Sequence, residues 1–167
     1  MRPLILAACL SLLAAPALAQ SVALTGPAGQ TAMVTARDLA ALPRHTVVLD
    51  AHGQKNSFDG PLLIDVLARV GAPTGKALRG AELSNAVIVT ASDGYQVVIG
   101  LAEADPGTRP NKIILADRMD GKPLPEKDGA FRLVVEGDLR PARSARLVTA
   151  IKVVKLGEGK PAGHAGH

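Results

Sequence analysis

Short runs of β-branched and apolar residues, separated by turns rich in Gly and Pro, predict a series of strands along this chain. Residues 86–91 and 95–100 flank Ser92-Asp93-Gly94, and this arrangement predicts a β-hairpin with an Asp-Gly turn. Further strands are predicted at residues 21–25, 45–50, 112–116, 131–135 and 147–156. We expect residues 21–25 to form an edge strand.

Two stretches predict helices instead. Residues 35–42 predict a short helix that Thr35 caps, with Asp38 placed for a capping-box contact. After a polar loop that ends at Ser57, a second helix is predicted to start at Gly60-Pro61, because proline suits the first turn, and to end at Gly71. At least five strands and two or three short helices in irregular order predict an α+β fold with a mixed sheet.

The first 19 residues predict a signal peptide. Arg2 precedes an apolar run over residues 4–15 that is too short to span a bilayer, and Ala17-Leu18-Ala19 offers a small-x-small cleavage site. An alternative is a lipoprotein box, Leu6-Ala7-Ala8-Cys9, but only five residues precede it. We therefore favour cleavage after Ala19.

Cleavage there predicts a periplasmic or secreted chain that is not inserted in the membrane. Residues 20–156 would form one domain, and residues 157–167 would form a flexible tail with Gly and His. His164 and His167 in this tail could grip Cu or Zn weakly, but two ligands on a flexible segment do not make a specific site.

Composition excludes several classes of function. The mature chain would keep 148 residues (167 − 19) and a net charge near +3 (18 Lys and Arg − 15 Asp and Glu), which is too small to indicate nucleic-acid binding. The aromatic residues Phe58, Tyr95 and Phe131 are too few for a single-stranded nucleic-acid groove. Because Cys9 is the only cysteine, the mature chain has no disulfide, no thiolate nucleophile and no cysteine metal ligand.

The strongest candidate for binding chemistry is a run of arginines at every third position, Arg140, Arg143 and Arg146. Pro141 suits the first turn of a short helix, on which this spacing places the guanidiniums on neighbouring positions of one face. Together with backbone amides near Ser144, they predict a pocket for an anion or for a planar group that accepts paired hydrogen bonds. The alternative is a solvated basic face.

Other candidates are weaker. His45 and His52 flank a predicted strand and could donate hydrogen bonds in a pocket, although histidines at the surface are commoner. Asp93 is most simply a turn residue. The chain has no phosphate loop of Walker type, no G-x-S-x-G elbow and no H-E-x-x-H motif.

Several segments, in order, resemble the sulfite oxidase-like molybdopterin-binding domain. Residues 58–67 are similar to its aromatic-x-Gly-(Val/Pro)-x-Leu segment, and residues 91–95 resemble its Asp/Tyr-Gly hairpin. Residues 114–125 resemble its stretch with (Asn/Asp)-Gly-x-Pro-Leu, residues 129–137 its Arg-Leu-Val-Val-Pro-Gly strand, and residues 140–146 its Ala-Arg-Ser segment. The resemblance implies a sulfite oxidase-type α+β fold, with a pterin cleft beside residues 45–58 and the arginine segment.

The departures from this pattern bear on function. The family's enzymes carry a molybdenum-ligating cysteine before the aromatic-Gly motif, where residues 46–53 of this chain contain none. Because a thiolate ties the metal to the protein, ordinary sulfite oxidase chemistry should fail, and no protein-ligated molybdenum is expected. Leu147 replaces the tryptophan that often ends the arginine motif, and the chain lacks the dimerisation domain of full-length sulfite oxidases.

Small, cysteine-free versions of this fold include periplasmic pterin-binding proteins, which resemble sensors that dock on a membrane-bound diguanylate cyclase or phosphodiesterase. The resemblance therefore implies a non-catalytic binding module for a pterin, a molybdopterin-like ligand or a related planar heterocycle, signalling to a membrane partner. Two alternatives stay open. One is an accessory or catalytic subunit of a molybdenum-cofactor oxidoreductase, and the other is a protein-interaction scaffold that has lost cofactor binding.

The expected ligand-binding residues follow from this resemblance and from the arginine spacing. Those expected to donate are Arg118, Arg140, Arg143, Ser144 and Arg146. We expect His52 and Asp93 at the cleft edge and Tyr95 or Phe58 as a stacking face, whereas Arg132 could point inward or outward.

Overall fold

Three β-sheets and a few short helices make up the described part of the chain, which in this computed structural model is residues 20–51 and 53–157. The predicted signal peptide, His52 and the two tail histidines lie outside the described residues. In chain order the strands are β1 (Ser21–Thr25), β2 (Thr31–Thr35), β3 (Arg44–Ala51), β4 (Gln54–Pro61), β5 (Asn85–Ala91), β6 (Gln96–Gly100), β7 (Ile113–Ala116), β8 (Arg118–Met119), β9 (Lys122–Pro123), β10 (Arg132–Val135) and β11 (Val148–Lys155).

The largest sheet has the strand order β2-β1-β11-β5-β6. β1 pairs antiparallel with β2 and parallel with β11, so the prediction that residues 21–25 form an edge strand is wrong. The edge is β2, which the sequence analysis missed. Its pattern is weak, because Thr31 and Met33 are exposed and Val34 alone is buried. The predicted hairpin of β5 and β6 is confirmed, with Thr90 opposite Gln96.

β3 and β4 form a long antiparallel hairpin, from Arg44 opposite Pro61 to Ala51 opposite Gln54. Residues 54–57 are therefore strand, and the predicted polar loop is wrong there. The second helix, α2 (Leu63–Ala68), starts after Gly60-Pro61 rather than at it. Gly60 serves close packing: a Cβ atom at this position would lie 2.2 Å from the carbonyl oxygen of Leu115 in β7.

The first helix, α1 (Ala36–Ala40), has the predicted capping box. The backbone amide of Asp38 donates to Thr35 Oγ1, and the Asp38 carboxylate accepts from the Thr35 backbone. Short 3₁₀ turns complete the chain at Gly75–Ala77, Gly80–Ser84, Leu101–Ala104, Glu126–Asp128 and Pro141–Arg143. None of the described helices is long and apolar enough to cross a membrane.

β7 and β10 form a two-stranded sheet, and every residue of both strands is buried. Their side chains join one core with the inward face of the five-stranded sheet, which contributes Val22, Leu24, Val87 and Ile151. The third sheet, β3-β4-β8-β9, lies against this core through β4 and β7. This arrangement places the start of β10 beside the β3–β4 hairpin, where the site described below is found.

Candidate functional site

The arginine segment, residues 140–146, is attached to β10 by hydrogen bonds. The amide of Leu133 donates to the Ala145 carbonyl over 2.8 Å, and the amide of Val135 donates to Ser144 Oγ over 3.0 Å. Ser144 is buried, so its hydroxyl holds the backbone in place. The segment is thus part of the folded core, although its first turn is a 3₁₀ turn with Pro141 at the start.

Arg143 is engaged by acids of the protein itself. Its Nε and Nη2 donate to the two oxygens of Asp138 over 2.9 and 2.7 Å, and its Nη1 donates to Glu103 over 3.2 Å. The hydrogen bonds that Arg143 donates to Asp138, aided by the one it donates to Glu103, raise the pKa of Arg143 against the opposing effect of burial. Arg143 therefore braces the segment, whereas Arg140 is exposed to solvent.

A cavity of about 300 Å³ lies where the β3–β4 hairpin, the turn at Glu126–Asp128, the start of β10 and the arginine segment meet. We call it the cleft. It is lined by Leu49, Gln54, Asn56, Phe58, Met119, Lys127, Asp128, Arg132 and Arg146. The position agrees with the one that the resemblance implied, beside residues 45–58 and the arginine segment.

A buried ion pair forms the inner wall of the cleft. Arg132 Nη1 donates to Asp128 Oδ2 over 3.0 Å, and the two side chains are 7% and 2% exposed. The Arg132 guanidinium also lies 4.7 Å from the centre of the Phe58 ring, which supplies a cation–π contact. Burial lowers the pKa of Arg132, and the charge of Asp128 opposes that change. Arg132 therefore points inward, and it covers the ring that was expected to stack on a ligand.

Two polar atoms of this wall have no hydrogen-bond partner among the described residues, Arg132 Nε and Asp128 Oδ1. Arg146 Nε comes within 3.2 Å of Asp128 Oδ1, but without the alignment of a hydrogen bond, so the oxygen keeps an open acceptor position. Buried polar groups are rarely left unpaired. Neither atom has appreciable contact with solvent, so the ion pair of Arg132 and Asp128 forms the wall of the cleft, and a ligand would reach Nε or Oδ1 only if these side chains shift.

The charges of the cleft are unbalanced. Lys127, Arg132 and Arg146 contribute three positive charges and Asp128 one negative charge, a net charge of +2 (3 − 1). Of the two arginines that line the cleft, Arg146 is the more open, with 54% of its side chain exposed against 7% for Arg132, so it can move onto a ligand at the mouth of the cleft. Such a site favours a ligand rich in hydrogen-bond acceptors or carrying negative charge.

The remaining predicted residues lie elsewhere. Asp93 and Tyr95, with Ser144 and Arg146, line a recess of about 190 Å³. There the Tyr95 hydroxyl donates to the Ala142 carbonyl over 2.8 Å, and Asp93 Oδ1 accepts from the Tyr95 amide over 2.9 Å. Both contacts hold loops together, and Arg146 alone of the predicted donors lines both the recess and the cleft.

Arg118 lines a third cavity of about 580 Å³, next to the ion pair of Arg44 and Asp117. This cavity is larger than the cleft, but it is open and mostly apolar, and its charged residues Arg44 and Asp117 are already paired with each other. Size alone therefore does not identify the site. The cleft is the better candidate, because it combines enclosure, unbalanced charge and unpaired buried atoms.

Lys127 and Asp128 were missed by the sequence analysis. Asp128 precedes Gly129, so its local sequence resembles that of a simple turn. The one available signal was Arg132 at the first position of an otherwise apolar strand, since a buried arginine requires a carboxylate nearby. The described residues contain no group of three or more His, Cys, Asp or Glu side chains that could hold a metal ion.

Comparisons with known proteins identify the family and the fold. A family model described as the oxidoreductase molybdopterin binding domain matches residues 17–160. Among solved structures, the sulfane dehydrogenase SoxCD from Paracoccus pantotrophus is similar, with a TM-score of 0.64 and 15% identity over 82% of this chain. The match covers 38% of that chain, and identity at this level shows a shared fold. No curated protein matches the sequence.

Proposed function

Because the chain belongs to the oxidoreductase molybdopterin-binding domain family, we propose that it holds the pterin of a molybdopterin-type cofactor, or a related planar heterocycle, in the cleft. The family match confirms the resemblance noted in the sequence, and with the SoxCD similarity it confirms the sulfite oxidase-type α+β fold. The finer elements of the proposal are a non-catalytic role, a periplasmic location and a signalling partner.

The observation that carries this proposal is the family match, together with a cleft of net charge +2 whose inner wall is the buried ion pair of Arg132 and Asp128. A pterin is planar and carries amide-like donors and acceptors around its edge, so it can satisfy a guanidinium and a carboxylate at once. Leu49, Phe58 and Met119 supply apolar contacts in the same cavity. A volume of about 300 Å³ lies at the lower end of the range of small-molecule sites.

The cleft does not offer the sulfur ligand of the family's enzymes. β3 and the start of β4 carry no cysteine, and Cys9 lies in the predicted signal peptide. A molybdopterin-type cofactor supplies redox chemistry through its metal when it is loaded. The residues present here fit the heterocycle and not a thiolate-bound metal, so their contribution would be to bind the pterin and to orient it.

The arginines divide into two roles under this proposal. Arg132 and Arg146, with Lys127, face the ligand and balance acceptors on it. Arg143 and Ser144 keep the segment in register on β10, which places Arg146 at the cleft. Arg140 and Leu139 are exposed at the tip of the same segment and are available to a protein partner. The partner that the resemblance implies is a membrane-bound diguanylate cyclase or phosphodiesterase. The predicted signal peptide supports the periplasm as the compartment in which the two proteins would interact.

The alternative function, an enzyme subunit, requires that the same cleft retain a metal. If the chain is a subunit of a molybdenum oxidoreductase, as the similarity to a sulfane dehydrogenase would allow, the loaded protein must retain molybdenum in a ratio near one per chain. Metal content therefore separates a sensor from an enzyme more directly than any activity assay with an unknown substrate.

The test is to purify the protein from a host that makes molybdopterin and to measure released pterin by fluorescence and molybdenum by elemental analysis. Pterin without molybdenum supports the proposal, and stoichiometric molybdenum favours the enzyme. If neither is found and added pterins do not raise the melting temperature, the proposal is wrong. Binding at ~100-fold excess over Kd should stabilise the protein by about 2.7 kcal/mol. Arg146→Ala should weaken binding, whereas Arg79→Ala, at an exposed arginine outside the cleft, should not.

A further inference from the structure

We propose that the outer face of the five-stranded sheet is a docking surface for an amphipathic helix of a partner protein, with an acidic residue of that helix opposite Lys152. This surface is separate from the cleft, because none of the residues that line the cleft belongs to the five-stranded sheet. The docking surface therefore goes beyond the proposed function and does not depend on which ligand the cleft binds.

The strand registers define this outer face. Alternate side chains of each strand enter the core, so the side chains between them point to the other side of the sheet. Two rows of outward residues cross the sheet from β2 to β6, the first being Met33, Ala23, Ala150, Thr90 and Gln96, and the second Thr31, Thr25, Lys152, Ile88 and Val98. Val154 continues the face along β11. Leu156 follows this strand, and its amide donates to the Ser84 carbonyl over 3.1 Å.

The outer face lacks the charges of an ordinary solvated sheet. Lys152 is the one charged residue in the two rows, and the others are small, hydroxylated, amide or apolar. Met33, Val98 and Leu156 are 61%, 60% and 57% exposed, so three of the seven exposed large apolar side chains among the described residues belong to this face. An antiparallel sheet that faces water normally carries polar residues on that side, so this composition indicates a surface that another element covers.

The size of the face matches one helix and is too small for a stable dimer. Five strands about 4.8 Å apart span about 19 Å, and the chain rises about 20 Å from Ala150 to Leu156, which gives an area of about 400 Å². A stable interface between two proteins takes about 800 Å² from each partner. A helix of about 13 residues is about 20 Å long and presents one apolar stripe, so it fits this face.

Lys152 sets the charge of the partner helix. Its neighbours in register on β1 and β5 are Thr25 and Ile88, neither of which can neutralise the ammonium group. Covering the face would take this charge out of water, so the partner must supply a carboxylate. A second copy of the chain would bring the same lysine and no acid. Residues 158–167 contain no aromatic residue and no Val, Leu, Ile or Met, so they cannot supply the apolar stripe.

The experiment is photocrosslinking in the native host. Val98→p-benzoylphenylalanine places the probe on the outer face, and Asp50→p-benzoylphenylalanine, at an exposed residue of β3, is the matched control. We expect one protein adduct from position 98 and none of this adduct from position 50. Mass spectrometry should map it to a helical segment with apolar residues three and four apart and an Asp or Glu beside them. No protein adduct, an adduct with a second copy of this chain, or an adduct with a segment that lacks this pattern would overturn the proposal.

Charge reversal tests the assignment to Lys152. In the position 98 background, Lys152→Glu should lower the adduct yield at least about 10-fold, because it places like charges against each other. Lys76→Glu, at an exposed lysine outside the five-stranded sheet, should leave the yield unchanged. Equal yields in the two variants would show that the partner does not contact Lys152, and would overturn the proposal. Pterin retention should be the same in both variants, so this test can fail without affecting the proposed function of the cleft.

Discussion

The guanidinium of Arg132 lies 4.7 Å from the centre of the Phe58 ring, inside the protein rather than at its surface. The aromatic face and the carboxylate of Asp128 are what make this burial tolerable, since an isolated charge in a protein interior is strongly unfavourable. A buried pair of this kind is weak evidence for stability and stronger evidence for a specific role. The role that we assign to it is ligand recognition.

Removing the carboxylate should therefore destabilise the fold. Asp128→Ala leaves Arg132 buried without its partner, and we expect a loss of about 3 kcal/mol in the free energy of unfolding. Urea denaturation followed by circular dichroism would measure it. Glu126→Ala, at an exposed residue of the same turn, should change stability by less than about 0.5 kcal/mol.

The double variant Asp128→Ala with Arg132→Met tests why Asp128→Ala loses stability. It distinguishes the cost of an unpaired buried charge from the cost of lost packing contacts. Without the buried charge, a large part of the lost stability should return. A double variant that is less stable than Asp128→Ala alone would contradict this explanation of the wall of the cleft.

Gly129 supplies a second test, because it shares a positive φ with Gly121 but lies in different surroundings. Gly129 and Gly121 have φ values of +73° and +74°. A Cβ at Gly129 would lie 2.9 Å from Leu147 Cδ2, whereas a Cβ at Gly121 would have no atom within 4 Å. We expect Gly121→Ala to cost about 1 kcal/mol for its positive φ alone. Gly129→Ala should cost more, because a ψ of −165° at positive φ suits glycine alone and because the new Cβ would meet Leu147.

Gly129→Ala should also weaken ligand binding, since it displaces Leu147 and with it the neighbouring Arg146. Leu147 itself has a φ of +54°, so its backbone is already strained and has little freedom to adjust. Thermal unfolding of both variants and titration with 6-methylpterin would check this. Equal stability of the two variants would show that the contact with Leu147 is easily relieved.

Ser144 is predicted to act through stability. Its hydroxyl is the acceptor for the buried amide of Val135, so Ser144→Ala leaves that amide unpaired at a cost of about 1–3 kcal/mol. Ser92→Ala, at an exposed serine, is the matched control. If Ser144→Ala keeps full stability but loses ligand affinity, the hydroxyl contacts the ligand instead.

The capping box of α1 predicts a dependence of stability on pH. Hydrogen bonds from the side chain and backbone of Thr35, and then the charge of Arg69, lower the pKa of Asp38 from its ordinary value of 3.8. Because the folded-state pKa is the lower one, the stabilisation is fully present above the ordinary value and is lost as the pH falls through the folded-state pKa.

The difference in unfolding free energy between wild type and Asp38→Asn should thus be constant from pH 7 to about pH 5 and should shrink below about pH 4. Chemical denaturation at a series of pH values would measure it. In a Thr35→Ala background, which lacks the hydroxyl partner, the same substitution should show a weaker pH dependence. A difference that grows as the pH falls would contradict the sign of the pKa change.

Local patterns predicted most of the elements, because each depends on neighbours in the chain. The Asp-Gly hairpin of β5 and β6 and the capping box of Thr35 and Asp38 are of this kind. β2 was missed because an edge strand with one buried residue has little alternation to detect. Residues 45–50 of β3 were predicted as a strand, but the start of β4 was predicted as a loop, because Gln54, Lys55 and Asn56 have low β-propensity.

The candidate site was harder to predict, since it joins residues that are distant in sequence. The arginine spacing predicted one face of a helix. The structure has only a 3₁₀ turn, Pro141–Arg143, after which the chain attaches to β10 through Ser144 and Ala145. Arg143 and Arg146 therefore reach different partners. Arg143 finds Asp138 and Glu103, and Arg146 finds Asp128. Only the tertiary structure sets these pairings, and only there do the unpartnered atoms of Arg132 and Asp128 become apparent. The signal peptide, the periplasmic location and the membrane partner stay predictions.

The parallel pairing of β1 with β11 has a consequence for synthesis. The strand at the middle of the largest sheet, β11, leaves the ribosome after the other four strands of that sheet, and both β1 and β5 pair with it. Until then β1 can pair only with β2 and β5 only with β6, so each has one unpaired edge, and we expect the nascent polypeptide to stay accessible to chaperones until β11 has been made. A ribosome-bound intermediate stalled before Val148 should be digested by protease as readily as a random coil.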